Sequence, residues 1–110
     1  MKIKVLKFGG TSVGSVESIK RSANIICDWS KKSKVIAVLS AMSGETDRLI
    51  NLTKSFSKSP NPVDFDNAIS TGENLSCALM SIYLNNQKTK SKSLHSWQIP
   101  IMTSVSYTHL

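Results

Sequence analysis

The stretch Val5-Leu-Lys-Phe-Gly-Gly-Thr-Ser-Val-Gly-Ser15 (VLKFGGTSVGS) decides the fold, because a hydrophobic run ends here in a glycine pair followed by hydroxyl side chains. The lysine precedes the glycines, so this is not the phosphate loop GxxxxGK[ST], and the GxGxxG spacing is also absent. Ser15 is a good N-cap for the helical pattern of apolar residues that follows, with Glu17 in its first turn. We therefore predict a strand over residues 2–6, a glycine loop, and a helix that begins after Ser15.

A second strand, loop and helix follow the first set. Residues 34–40 (KVIAVLS) form a near-continuous apolar run, which is typical of a strand buried on both faces of a parallel sheet. The loop SAMSGETD, residues 40–47, then leads into a helix that Ser43 or Thr46 is expected to cap. Right-handed crossovers bring both loops to the carboxyl edge of one α/β sheet, where ligands bind.

The rest of the chain carries turn and helix signals. Residues 57–64 (SKSPNPVD) are predicted to be an exposed turn, whose two prolines disfavour helix, and a third helix is predicted over residues 65–86. Gly72 within it indicates a bend or a close approach, and a weak strand is predicted over residues 91–95. The inner faces predicted for the second and third helices are Leu49, Leu52, Thr53 and Phe56, and Leu75, Leu79, Ile82 and Asn86.

Composition limits the classes of function. The net charge of +7 comes from scattered lysines with only two arginines and few aromatic residues, which argues against a nucleic-acid-binding protein. Cys27 and Cys77 lack metal-type spacing and are expected to be reduced core residues. No apolar run approaches a membrane span and no signal peptide is visible, so we expect a cytoplasmic protein without membrane partners.

The first loop has the chemistry of a phosphate site. Gly9 and Gly10 carry no Cβ to keep phosphate oxygens from the backbone, Lys7 offers a cation, and hydroxyls follow. A plain strand-to-helix turn with a solvated lysine explains the same residues equally well. Likewise, helix capping explains the second loop, and STGE (residues 70–73) is either an amino-group site or a helical turn. No catalytic triad and no metal cluster can be assembled.

Four motifs in order, KFGGTSVGS, VIAVLSAMSGETDRLINL, STGENLS and WQIPI, closely resemble the aspartate kinases. The resemblance covers residues 2–103 and implies the amino acid kinase (carbamate kinase-like) fold. That fold is an α/β three-layer sandwich, a parallel-rich sheet between helices. Residues 1–104 would be the N-terminal part of such a domain, incomplete at its C-terminal side.

The resemblance implies transfer of the ATP γ-phosphoryl group to the β-carboxylate of L-aspartate, which opens lysine, threonine, methionine and diaminopimelate biosynthesis. Mg²⁺ would bridge the phosphates, and the full-length enzyme would be a homo-oligomer. The implied phosphate-binding residues are Lys7 (also catalytic), Gly9, Gly10, Ser12 and Ser40, and the implied aspartate-binding residues are Ser40, Thr46 and Glu73.

Part of the catalytic machinery of the family lies beyond the matched region, so we expect the isolated chain to be inactive. The alternative is a non-catalytic remnant or nucleotide-binding module of the same superfamily. Residues 105–110 (VSYTHL) do not align, and we interpret them as a tail arising from a sequencing artefact or frameshift, with a genuine divergent terminus as the alternative.

Overall fold

The computed structural model describes residues 1–99. The predicted domain boundary at residue 104 and the predicted tail, residues 105–110, lie outside this range. Its regular elements are β1 (Ile3–Phe8), α1 (Val16–Ser30), β2 (Lys34–Leu39), α2 (Glu45–Lys54), α3 (Pro62–Asn86) and a 3₁₀ turn, Ser96–Gln98. This order confirms the α/β class and the two strand–loop–helix units. Among the helices of residues 1–99, none combines the length and apolar character needed to span a bilayer.

β1 and β2 form a parallel pair in which Ile3 lies opposite Lys34 and Phe8 lies opposite Leu39. β1 runs two residues beyond its predicted end at residue 6, since Phe8 still takes part in the pairing. The carbonyl oxygen of Phe8 accepts a hydrogen bond from the backbone N–H of Ser40 at 3.1 Å. The parallel pairing brings the ends of both strands to one edge, as the crossover rule predicts.

The predicted start of α1 at Ser15 is confirmed. The Ser15 hydroxyl accepts a hydrogen bond from the Ser18 backbone N–H at 3.2 Å, and the Ser18 hydroxyl accepts one from the Ser15 N–H at 2.9 Å. This reciprocal capping box satisfies two donors that a helix end otherwise leaves unpaired. Glu17 lies in the first turn, where negative charge suits the helix dipole.

Within residues 1–99, the sheet packs its core on one face. Alternate residues of both strands face α1 and α3, and the buried core consists of Phe8, Val13, Ile19, Ala23, Ile26, Leu39, Met80 and Leu84. On the other face Ile36 and Val38 are about half exposed, so the prediction that β2 is buried on both faces is wrong for the described residues. The reason is that the helices of residues 1–99 cover a single side of the sheet.

Two predicted helix starts differ from the structure. Gly44, with a φ of 75°, is the N-cap of α2 and no side chain caps this helix, so neither Ser43 nor Thr46 has the predicted capping role. The chain turns through a left-handed conformation there, which glycine adopts without strain. Pro62 begins α3 instead of preventing it, because proline is tolerated at the first helical position. Asn61 caps this helix, since its Oδ1 accepts a hydrogen bond from the backbone N–H of Val63.

The buried stripe of α3 is also different from the predicted one, and consists of Gly72, Ser76, Met80 and Leu84. Leu75 and Ile82 are exposed, as are Leu52 and Phe56 of the predicted α2 inner face, while Leu49 is buried as expected. The two free cysteines, Cys27 and Cys77, are half-buried.

The segment predicted as a weak strand, residues 91–95, is not a strand in the structure. The backbone N–H of Ser91 donates to Asn85 Oδ1 at 2.9 Å, so a side chain takes the place of a strand partner. The Ser91 hydroxyl also lies 2.9 Å from that of Ser81, which holds the start of the segment against α3.

Substitution of Ser76 by alanine is expected to lower the free energy of unfolding by about 1–3 kcal/mol, because it leaves a carbonyl at the strand end without its donor. Ser76 is fully buried and its hydroxyl donates to the Ser40 carbonyl at 2.6 Å. Urea unfolding followed by circular dichroism measures the change. The control is Ser70→Ala on the same helix, whose exposed hydroxyl bonds only to Asn67, and equal losses in both variants would contradict this account.

Candidate active site

The two loops that follow β1 and β2 meet at Gly14. The backbone N–H of Ser43 donates to the Gly14 carbonyl at 3.2 Å. A Cβ on Gly14 would contact the Ser43 hydroxyl and lie 2.8 Å from the Gly10 carbonyl oxygen, so only glycine fits. The first loop is also tied to α1, since the Ser22 hydroxyl donates to the Ser12 carbonyl at 2.6 Å. Both loops are therefore held together at the carboxyl edge of the sheet.

The helix α3 approaches the second loop closely at Gly72. A Cβ on this residue would lie 3.2 Å from both Ala41 Cβ and Glu45 Cγ, which confirms the close approach predicted for this glycine. One turn later, Ser76 donates its hydrogen bond to the Ser40 carbonyl. These two contacts bring Glu73, which lies between them in sequence, to the loops.

A cavity of about 330 Å³ lies where the two loops and α3 meet. It is lined by Gly10 of the first loop, by Ser40, Ala41, Met42, Ser43 and Gly44 of the second, by Thr46 and Asp47 of α2, and by Glu73 of α3. Hydroxyl groups, backbone and two carboxylates make this a polar cavity suited to a small charged ligand.

Glu73, one of the residues that line this cavity, has an unpaired side-chain oxygen. Its Oε2 is shielded from solvent and has no hydrogen-bond partner within residues 1–99. A buried carboxylate oxygen without a partner is costly, so the arrangement favours a ligand that donates hydrogen bonds or carries positive charge.

The start of α2 contributes partial positive charge beside the cavity, opposite in sign to the Glu73 carboxylate. No side chain caps α2, whose first backbone N–H groups carry partial positive charge beside the cavity. Glu45 in this turn is neutralised by Arg48, whose Nη2 lies 2.7 Å from Glu45 Oε1, and this hydrogen bond lowers the pKa of Glu45. Partial positive charge from α2 and the Glu73 carboxylate thus lie on two sides of one cavity.

The structure brings together four of the seven predicted site residues. Gly10, Ser40, Thr46 and Glu73 line the cavity, whereas Lys7, Gly9 and Ser12 do not. Lys7 is exposed on the sheet face opposite the core, where it pairs across the strands with Val38. Its proposed contact with phosphate stays a prediction, as do the roles of the other six residues.

Sequence reasoning named neither Asp47 nor Gly14 as a site residue. Asp47 lines the cavity, and its place in the first turn of a helix after a glycine loop was an available signal. Gly14 forms the contact between the loops, which no local pattern indicates because Ser43 lies 29 residues away. The residues that the structure describes contain no group of three or more His, Cys, Asp or Glu side chains able to hold a metal ion.

Comparisons with known proteins identify the family of this chain. The model of the amino acid kinase family matches residues 2–109, and the chain belongs to that family. Within the family it is similar to an aspartokinase of Geobacillus stearothermophilus, 45% identical over 104 residues, and to one of Rickettsia prowazekii, 38% identical over 112 residues. These alignments cover 94% and 98% of this chain, and 26% and 25% of the relatives.

A solved structure, the aspartate kinase of Synechocystis, superimposes with a TM-score of 0.74 at 40% sequence identity. The match covers 79% of this chain and 15% of that chain. The fold is therefore the amino acid kinase fold predicted from the motifs, and the described residues form part of such a domain. The chain spans about a quarter of the length of the curated relatives it matches.

Substitution of Gly14 by alanine is expected to destabilise the protein by about 1–3 kcal/mol, because the new methyl group clashes with the Gly10 carbonyl oxygen of its own loop and crowds Ser43 of the second loop. Gly9→Ala is the matched control, since a Cβ there has nothing within 4 Å. Urea unfolding gives the loss of stability, and hydrogen exchange of the amides in residues 9–14 and 40–44 reports the loop separation. Equal stability of the two variants would refute this role for Gly14.

Cys77 is expected to react slowly with iodoacetamide. Burial raises the pKa of its thiol, and the carboxylate of Glu73, one helical turn away, also raises it. A backbone hydrogen bond with Leu39 acts in the opposite direction and lowers this pKa. Only the thiolate reacts, so the midpoint of the pH–rate profile lies above that of a free cysteine peptide.

The measurement uses Cys27→Ser protein, in which Cys77 is the one remaining thiol, with alkylation followed by mass spectrometry. Adding Glu73→Gln removes the nearby negative charge and is expected to shift the midpoint to lower pH. A midpoint at or below that of the peptide would contradict the burial of this thiol.

Proposed function

We propose that this chain is the N-terminal part of the catalytic domain of an aspartate kinase, which transfers the ATP γ-phosphoryl group to the β-carboxylate of L-aspartate. The observation that carries the proposal is the shielded, unpaired Oε2 of Glu73 at a polar cavity between two glycine-containing loops. The similarity to aspartokinases over nearly the whole chain supports it. The same proposal includes that the enzyme is cytoplasmic and homo-oligomeric and that it acts in lysine and threonine biosynthesis.

The cavity suits the amino group of aspartate. An ammonium group beside Glu73 Oε2 would supply the donor and the positive charge that this oxygen lacks. The hydroxyls of Ser40 and Thr46 line the same cavity and offer further hydrogen bonds to the substrate. Asp47, in the first turn of α2, also lines the cavity, and its negative charge likewise favours the ammonium end of the substrate.

The phosphates of ATP would lie on the first loop. A Cβ on Gly9 or on Gly10 would meet nothing within 4 Å, so the backbone there is open to approach by a ligand. Gly10 also lines the cavity, which joins the phosphate region to the aspartate region. Lys7 and Ser12 would add a cation and a hydroxyl on either side of the glycine pair.

The chemistry needs little from the protein besides placement. An oxygen of the β-carboxylate attacks the γ-phosphorus, the bond to the bridging oxygen breaks, and ADP leaves with the electron pair. The loops hold the two reactants in line, and Lys7 stabilises negative charge on the transferring group. A divalent cation such as Mg²⁺, which the resemblance implies, would neutralise phosphate charge during the transfer.

The proposal is tested in a chimera in which this chain replaces the aligned quarter of the Geobacillus aspartokinase. ADP release that depends on aspartate is expected. Lys7→Ala is expected to lower kcat roughly 100-fold or more, because a positioned charge at the transferring phosphate is lost. The control is Lys58→Ala in the exposed turn between α2 and α3, which should leave kcat unchanged.

Glu73→Gln in the same chimera is expected to raise the KM for aspartate roughly tenfold while the KM for ATP stays unchanged, because a charged partner of the ammonium group is lost. An equal rise in both constants would contradict the assignment of Glu73 to the amino group. A chimera that folds but releases no ADP would favour the non-catalytic alternative, and turnover by the isolated chain would refute its expected inactivity.

A further inference from the structure

The buried hydroxyl of Ser76 lies between the backbones of two residues that line the cavity. It donates to the Ser40 carbonyl at 2.6 Å, and the carbonyl of Glu73, in the preceding turn of α3, accepts from it at 3.0 Å. Because a hydroxyl carries a single proton, the two carbonyls share one donor. Ser76 is fully buried, so water does not compete for this donor. Ser76 thus joins the backbone of Glu73 to the end of β2.

Gly72 limits the approach of α3 from the other direction. A Cβ on Gly72 would lie 3.2 Å from both Ala41 Cβ and Glu45 Cγ, so the helix is already packed against the second loop and α2. These atoms prevent closer packing, and withdrawal of the helix breaks the hydrogen bond that Ser76 donates to the strand end. The distance from Glu73 to the end of β2 is therefore fixed in both directions.

This distance matters for the choice of phosphoryl acceptor. L-Aspartate and L-glutamate carry the same amino group and the same terminal carboxylate, and L-glutamate has one more methylene group between them. A site that holds the amino group at Glu73 and the carboxylate at the ends of the strands distinguishes the two by length. One methylene group in a binding pocket changes kcat/KM by roughly 10–200-fold.

We propose that Ser76 is a positioning residue that sets the acceptor length of the site, so that L-aspartate is accepted and the longer L-glutamate is rejected. Ser76 does not line the cavity and acts through Ser40 and Glu73, whose separation its hydroxyl fixes. This role rests on the proposed function, which places the acceptor between these two residues.

Ser76→Ala in the chimera with the Geobacillus aspartokinase tests this role. The ratio of kcat/KM for aspartate to kcat/KM for glutamate is expected to fall roughly tenfold, because loss of the hydroxyl lets α3 withdraw and admits the longer acceptor. The KM for ATP is expected to stay unchanged, since the first loop is tied to α1 by Ser22 and makes no hydrogen bond with Ser76. ADP release with each amino acid gives the constants.

Two matched variants separate the effect of the hydroxyl from general destabilisation. Ser76→Thr keeps a hydroxyl that can bond to the carbonyl three residues earlier, so it should restore the preference for aspartate. Ser81→Ala removes a hydroxyl from the same helix that lies 2.9 Å from the Ser91 hydroxyl, away from the residues that line the cavity. It should leave the ratio unchanged.

Gly72→Ala changes the same distance without removing a hydrogen bond. The new methyl group pushes α3 away from the second loop, whereas alanine itself favours the helix more than glycine does. The ratio for aspartate over glutamate is therefore expected to fall as it does in Ser76→Ala, although the helix is not weakened.

Equal ratios in the wild-type and Ser76→Ala chimeras, or a wild-type chimera that uses both acceptors equally, would overturn the positioning role while ADP release from aspartate still supports the proposed function. A chimera that releases no ADP with either acceptor contradicts the proposed function instead. Hydrogen exchange of the amides in residues 40–44 of the 110-residue chain then decides whether Ser76 holds the loop. Exchange should be faster in Ser76→Ala than in Ser76→Thr, and equal rates would overturn the role.

Discussion

The separation of the two loops at the carboxyl edge of the sheet is the constraint on which the rest of the site depends. Parallel pairing of β1 and β2 brings the loops to one edge, but pairing alone leaves their distance undefined. The hydrogen bond from Ser43 to Gly14 and the absence of a Cβ on Gly14 define it. The bond from Ser76 to Ser40 then fixes α3 against the second loop, and Glu73 reaches the cavity as a consequence.

Features that depend on neighbours in sequence were predictable. The N-cap at Ser15 requires only a hydroxyl before a helical pattern, and the parallel order of the strands follows from the connecting helix. The shared edge of the two loops follows from the same rule. Of the seven site residues that the resemblance implied, four line one cavity, and they come from three separate segments.

Features that depend on distant residues were not predictable. Ser76 lies on the buried stripe of α3 because its hydroxyl meets a carbonyl 36 residues away, whereas the apolar Leu75 looked like the better core residue. Gly44 replaces the hydroxyl residues as the cap of α2 because the loop turns through positive φ before the helix begins. Similarly, a near-continuous apolar run cannot reveal that one face of β2 has no cover within the described residues.

Lys7 and Glu73 extend toward the site from opposite faces of the sheet. Glu73 reaches the cavity from α3, on the covered side of the sheet, whereas Lys7 extends from the uncovered side. A phosphoryl group that passes from ATP beside Lys7 to an aspartate held by Glu73 would lie at the end of the sheet, with one reactant contacted from each face. A layer packed on the open face would then exclude water around Lys7 and strengthen its interaction with phosphate, since charges interact more strongly at low dielectric.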